Sequence, residues 1–211
     1  LLENFDAKFF FKNQYFPSFI ELEKIILNLK KYKPTLIVAI GGGCVMDYAK
    51  IANFLVFSKN LKNEIKKGSY SSKNKFCELV AIPTTAGSGA EVTANSVIYI
   101  ENQKYSVEDK QIKPDHFYLI PELILKNSIK IKNSAGFDAV SQAVESLFSL
   151  RSDEASLAFA KKSLELSLKN FIPYVSNPNK DNSIKMLIAS NLAGKAISIS
   201  KTTAPHATSY P

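Results

Sequence analysis

Leu36-Ile37-Val38-Ala39-Ile40-Gly41-Gly42-Gly43-Cys44-Val45-Met46-Asp47-Tyr48-Ala49-Lys50 changes physical character twice. Five consecutive apolar residues read as a short strand covered on both faces, as strands of a parallel sheet are. Three glycines follow without a spacer. Val45, Tyr48, Ala49, Ala52, Leu55 and Val56 then recur at helical spacing. The stretch predicts strand, glycine turn, helix. At such a turn a backbone without Cβ atoms can approach a phosphate, and the helix start offers unpaired N–H groups and a positive dipole end. The alternative is a tight turn in which glycine supplies positive φ. The spacing matches neither a G-x-G-x-x-G fingerprint nor a P-loop.

Downstream the arrangement recurs. A lysine- and serine-rich loop over 62–75 leads to Leu79-Val80-Ala81-Ile82, and then to Pro83-Thr84-Thr85-Ala86-Gly87-Ser88-Gly89. Two such turns from one sheet would converge on the same edge. Gly41, Gly42 and Gly43, with Thr84, Thr85, Gly87, Ser88 and Gly89, are therefore the candidates for holding a phosphate or a dinucleotide. Asp47, in the first turn after the glycines, either complements the helix dipole or faces the ligand together with Lys50.

Upstream, Phe9-Phe10-Phe11 reads as a strand, broken at Lys12-Asn13-Gln14. Phe19, Leu22, Ile25, Ile26 and Leu29 mark an amphipathic helix that ends at Lys31–Lys33 and Pro34. Beyond the second turn, Ser96–Ile100 and His116–Ile120 are β-like, and the polar Glu101-Asn102-Gln103 predicts a hairpin insertion. From Ser134 the pattern is helical, over Ala135–Leu150, Glu154–Phe171 and Asn182–Ile199. The expected fold class is α/β: an open, mostly parallel, Rossmann-like sheet domain over residues 1–125 and an all-helical domain over 126–211. Ligands are expected in the cleft between them, outside the carboxyl ends of the strands.

Composition bounds the function. With 211 residues, 45% hydrophobic and 22% charged, the chain can bury a core, which excludes the disordered classes. The net charge of +8 would suit a polyanion, yet Arg151 is the one arginine and the lysines are scattered, so a solvated surface is expected and nucleic acid is not. Cys44 and Cys77 form no C-x-x-C, no apolar run approaches the ~20 residues of a membrane span, and no secretory pattern opens the chain. A cytoplasmic protein with no membrane partner is expected. The chain begins at Leu1 rather than Met and stops at Pro211, so both ends read as cut.

A second set of residues has ligand chemistry. Asp138 and Gln142 are four apart and share a helix face, with Glu145 one turn further. Such a stripe is either a wet face or, given the small Ala139 and Ala143 beside it, part of a closely packed site. His206 follows Pro205, either as a surface or capping residue or as a ligand. Asp138 and His206 could hold a divalent ion, but two ligands do not make a site.

Gly41-Gly42-Gly43-Cys44-Val45-Met46-Asp47-Tyr48-Ala49-Lys50 resembles the GGGS-x-x-D-x-A-K segment of the iron-containing (group III) alcohol dehydrogenases. Pro83 to Thr93 is similar to their PTTAGTGSEVT loop, and Phe137 to Glu145 to their D-A-x-x-H-A-x-E helix. Asn191–Ala196 and Lys201–Ala207 look most like the phosphonoacetaldehyde reductase branch. The resemblance implies a dinucleotide-binding domain and a helical metal-binding domain, a plan shared with dehydroquinate synthase-like enzymes. It also implies NAD(P)H-dependent interconversion of an alcohol and an aldehyde on a divalent metal, Fe²⁺ ahead of Zn²⁺.

Carried over by position, Asp138 matches the first metal ligand and His206 the third, and these two are the catalytic candidates. Gln142 stands where the family has its second ligand, normally His; an amide oxygen is a weaker donor. Tyr210 stands where many members have a further His, Ile120 where they often have Asp, and the fourth ligand would fall after Pro211. Lys201, Thr202 and Thr203 are candidates for a phosphonate group of the substrate. Lys12, after the Phe9–Phe11 strand, points toward NADP, since an acidic residue there would favour the ribose hydroxyl of NAD. The partners expected are a small aldehyde or alcohol and, as an open alternative, a second copy in a homodimer. Two rival readings are a dehydroquinate synthase-like cyclase using bound NAD and a nucleotide-binding relative without turnover.

Overall fold

The fold is taken from a computed structural model, which describes residues 6–13, 16–203 and 206. Its first helix, α1 (Phe19–Tyr32), begins where the Ser18 hydroxyl accepts from the Glu21 N–H, and it buries Leu22, Ile26 and Leu29. Strand β1 (Leu36–Gly41) leads into α2 (Gly43–Leu55). A short helix, α3 (Leu61–Lys67), precedes β2 (Glu78–Pro83). β1 and β2 pair in parallel from Leu36 opposite Glu78 to Gly41 opposite Pro83. That register brings both turns to the same sheet edge. The three-stranded sheet has the order β1-β2-β5, with β5 (His116–Phe117) also parallel to β2.

Between β2 and β5 the chain makes a separate antiparallel hairpin of β3 (Asn95–Ile100) and β4 (Gln103–Glu108). Its turn holds Glu101 and Asn102 at φ 52° and 63°, as a tight primed turn requires. Helix α2 lies between two apolar layers. Met46 meets Ala39, Leu79 and Ala81 of the sheet, while Tyr48, Ile51 and Leu55 join α1, α3 and the hairpin. The Tyr48 hydroxyl accepts from the Ser18 N–H at 2.6 Å and donates to Glu21 Oε2 at 2.8 Å, fastening α2 to the start of α1.

The short α4 (Glu122–Leu125) is followed by three long helices: α5 (Ile129–Phe148), α6 (Glu154–Ser176) and α7 (Lys180–Ser200). They meet through Ala143, Ala160, Ala193 and Ala196, all fully buried. Small side chains let the helix backbones approach closely. The serines follow suit: Ser163 donates to the Ala189 carbonyl at 2.8 Å, and Ser200 to the Ser146 hydroxyl at 2.9 Å.

Several expectations need correction. Phe9–Phe11 is not a strand; Phe9 and Phe11 are 66% and 80% exposed. β1 is covered on one face only, with Leu36, Val38 and Ile40 exposed on the other. An apolar run fixes neither pairing nor cover, which depend on what the rest of the chain brings alongside. The β-like run at His116 ends after Phe117, because Pro121 turns the chain into α4. Polarity hid α3 within the loop, although the Asn60 cap, the Leu61 and Ile65 spacing and Gly68 in the left-handed region at φ 62° were its signals. α5 starts earlier than Ala135, capped by Ser128. α6 runs through Pro173, at the cost of one backbone hydrogen bond near its end.

Candidate active site

The two turns meet as the sheet register requires. The Thr84 N–H donates to the Gly41 carbonyl at 2.9 Å. A Cβ on Gly42 would lie 3.3 Å from Thr85 Oγ1, and one on Gly43 would lie 3.0 Å from Ser88 Oγ. Gly42 caps α2 with φ −79° and makes no side-chain cap bond. None of the three glycines has positive φ, so the conformational alternative is excluded. Gly41 is glycine because a Cβ would strike Val45 at 2.5 Å; Gly42 and Gly43 keep the hydroxyls of Thr85 and Ser88 close to the helix start. Cys44 sits in that first turn. Burial pushes its thiol up to about 11, with Asp47 adding to the shift and Lys12 opposing it.

The second loop also joins the sheet to the helices. A Cβ on Gly87 would lie 2.8 Å from the backbone of Ala135 on α5. One on Gly89, whose φ is +60°, would lie 2.6 Å from Gly194 on α7. These two glycines serve helix packing rather than direct approach to a ligand. Ala135 is three residues before Asp138 on α5, so the loop that abuts the glycine turn also abuts the helix carrying Asp138.

On that helix Asp138, Gln142 and Glu145 line one face, and His206 lies across it. His206 Nε2 is 3.5 Å from Asp138 Oδ1, and Nδ1 is 2.8 Å from Glu145 Oε1. Burial raises the Asp138 carboxyl, against the charge of His206 and the Gln142 amide. Glu145 goes the other way: burial would raise it, but bonds from Thr203 and His206 outweigh burial and hold it below the usual range. Gln142 Oε1 is buried without a hydrogen-bond partner. A carboxylate, an imidazole nitrogen and an orphaned amide oxygen on one face fit a divalent cation. Among the described residues no three His, Cys, Asp or Glu side chains are arranged to hold a metal, so an ion here would take Gln142 as its third protein donor. Tyr210 lies outside the described residues.

Other expected roles are corrected. Lys50 is fully buried, and its ammonium donates to the Ala90 carbonyl at 3.0 Å, Thr93 Oγ1 at 2.9 Å and the Asn95 carbonyl at 2.7 Å. It lies seven residues into α2, about 10 Å along the axis from the turn, and no donor remains for a cofactor. Asp47 faces β3 and β4, where burial pushes its carboxyl up to about 6 against the charges of Lys50 and Lys104. Lys201, Thr202 and Thr203 are not gathered on one point. Lys201 pairs with Glu108 of β4 at 3.0 Å, Thr202 is exposed, and Thr203 gives its N–H and hydroxyl to Glu145 at 2.6 and 2.9 Å. With no strand at Phe9–Phe11, the argument from Lys12 toward NADP loses its basis. Sequence reasoning left Glu145 without a role, although its spacing from Gln142 and Asp138 put it on their face.

Residues 2–121 match the family model for iron-containing alcohol dehydrogenase. The chain belongs to the iron-containing alcohol dehydrogenase family. It is 31% identical over 202 residues to a 4-hydroxybutyrate dehydrogenase of Clostridium kluyveri, covering 92% of this chain and 53% of that protein. It is 28% identical over 194 residues to a phosphonoacetaldehyde reductase of Streptomyces viridochromogenes, covering 87% and 49%. The crystal structure of a sulfoacetaldehyde reductase from Bifidobacterium kashiwanohense in complex with NAD⁺ superposes with a TM-score of 0.87 at 30% identity, over 92% of this chain and 52% of that one. The chain thus spans about half the length of the curated relatives it matches. No described helix is long and apolar enough to cross a membrane.

Proposed function

We propose that the protein containing this chain is a cytoplasmic NAD(P)H-dependent reductase of a short aldehyde bearing an anionic group, such as phosphonoacetaldehyde. Residues 1–125 would hold the nucleotide and residues 126–211 the metal. The observation that supports this reading is a shared loop: Thr84–Gly89 touches the glycine turn on one side and the helix bearing Asp138 on the other. Family membership favours this over the cyclase. The named substrates of three similar proteins support the anionic group, since a hydroxybutyrate, a phosphonoacetaldehyde and a sulfoacetaldehyde each carry a negative charge on a short chain.

The chain's own residues divide the work. The start of α2, with Gly42 and Gly43, would receive the pyrophosphate on its backbone and dipole. Thr85 and Ser88 would supply hydroxyls beside it. Asp138, Gln142 and His206 would hold the divalent ion, Fe²⁺ or Zn²⁺, with Nε2 of His206 as the nitrogen donor. When bound, the ion supplies Lewis-acid polarisation of the substrate oxygen, and the nicotinamide supplies hydride. Glu145 Oε1 lies 2.8 Å from the other ring nitrogen of His206, Nδ1. The test is consumption of NADH and NADPH by the full-length, metal-loaded protein with phosphonoacetaldehyde, sulfoacetaldehyde and propanal. Faster turnover of the anionic aldehydes is expected. Oxidation of neither cofactor with any aldehyde, while nucleotide still binds, would replace the proposal with the non-catalytic reading.

A further inference from the structure

Glu145 is 93% removed from solvent yet uses both carboxylate oxygens on one segment. Oε1 meets His206 Nδ1 at 2.8 Å; Oε2 accepts from the Thr203 N–H at 2.6 Å and its hydroxyl at 2.9 Å. Oε2 is taken up as the acceptor of two Thr203 bonds, which leaves Oε1 to accept from the imidazole. In the neutral imidazole the proton shared with Glu145 therefore sits on Nδ1, which leaves the lone pair on Nε2, 3.5 Å from Asp138 Oδ1 and on the helix face of the orphaned Gln142 Oε1. Lys201, at φ 61°, turns the chain out of α7 just before the segment that Glu145 grips.

We infer that Glu145 is a positioning residue that sets the tautomer of His206 and clamps the segment carrying it against α5. It aims Nε2 at the space between Asp138 and Gln142. Ligating histidines are oriented in this way by a carboxylate on their other nitrogen, so the inference rests on the metal reading above. Thr203 acts on the same carboxylate but fixes the segment, not the imidazole, which separates the two roles experimentally.

The experiment compares wild-type protein with Glu145→Gln, Glu145→Asp and Thr203→Val by two readouts. The first is ¹⁵N NMR of His206 in the metal-free chain, where His116 is the one other histidine. Wild type and Thr203→Val should show the Nδ1–H form, and Glu145→Gln a shift toward Nε2–H, with Glu145→Asp partly restoring the wild-type pattern. The second is Co²⁺ affinity by chelator competition in full-length protein, with its visible spectrum. Glu145→Gln should weaken binding by about 10- to 100-fold and alter the spectrum. An Nε2–H tautomer in wild type, or Co²⁺ binding by a folded Glu145→Gln variant within about twofold of wild type, overturns the inference. Wild type that shows the Nδ1–H form, loses it in Glu145→Gln and binds no Co²⁺ overturns the metal reading and leaves the positioning role standing.

Discussion

Two polar clusters sit on either side of the Thr84–Gly89 loop, and they are built to opposite rules. Around Lys50 the structure is closed. The ammonium has three oxygen partners, and buried Glu91 accepts from Asn191 of α7 at 3.0 Å. Around Asp138 the structure is open: about a third of that side chain remains exposed, and Gln142 Oε1 is left unmet. Both clusters bury charge, and desolvation shifts groups in both. What separates the two clusters is the fully partnered Lys50 ammonium in one and the unmet Gln142 amide oxygen in the other, more than burial itself.

The contrast breaks most sharply at Lys50. Lys50→Met keeps most of the apolar stem but removes the nearest positive charge from Asp47 and Glu91 and leaves three buried oxygens without their donor, and should cost ~3–5 kcal/mol of stability, read as a fall in the urea midpoint. Asp138→Ala should do the reverse. It leaves the urea midpoint within ~0.5 kcal/mol of wild type and weakens Co²⁺ binding about 100-fold, equivalent to ~2.8 kcal/mol, measured by chelator competition. If Asp138→Ala unfolds the protein and Lys50→Met does not, the two clusters have been assigned the wrong way round.

The pH dependence sharpens the same division. Because the folded state raises Asp47 from 3.8 to about 6, its protonated form favours folding, and that stability is lost as pH rises through about 6. Lys50 is lowered from 10.5 to about 8, so its contribution is lost as pH falls through about 8. Between these values both groups stand charged at full desolvation cost. Asp47→Asn should therefore gain on wild type by ~2 kcal/mol between pH 4 and 7, seen in urea melts at each pH. The smallest effect belongs to the turn itself. Gly42→Ala meets only the movable Thr85 side chain, so stability should change by less than ~1 kcal/mol. NADH affinity by fluorescence titration should fall about tenfold, or ~1.4 kcal/mol.

The fold was legible where periodicity is local. The spacing of Leu22, Ile26 and Leu29 marked α1, and the change from Leu36–Ile40 to helical spacing after Gly43 marked the β1 turn. The common edge of the two turns followed from their number, since parallel strands in register deliver their ends to one side. The closed cluster was misread: Asp47 and Lys50 follow the glycines in the chain, and sequence adjacency suggested a shared ligand.

What the residues alone determined is α1, the strand–turn–helix unit, the second turn and the long C-terminal helices, with Asp138 and His206 as partners, because each is encoded over a few neighbouring positions or in a motif. What tertiary packing decided is which polar atoms are already spent. Lys50 finds its partners some forty residues away, Lys201 meets Glu108 from the far end of the chain, and Glu145 takes Thr203 and His206. Hydrogen-bond capacity is a property of a side chain, but its use depends on what the fold brings within about 3 Å, and no local pattern carries that distance.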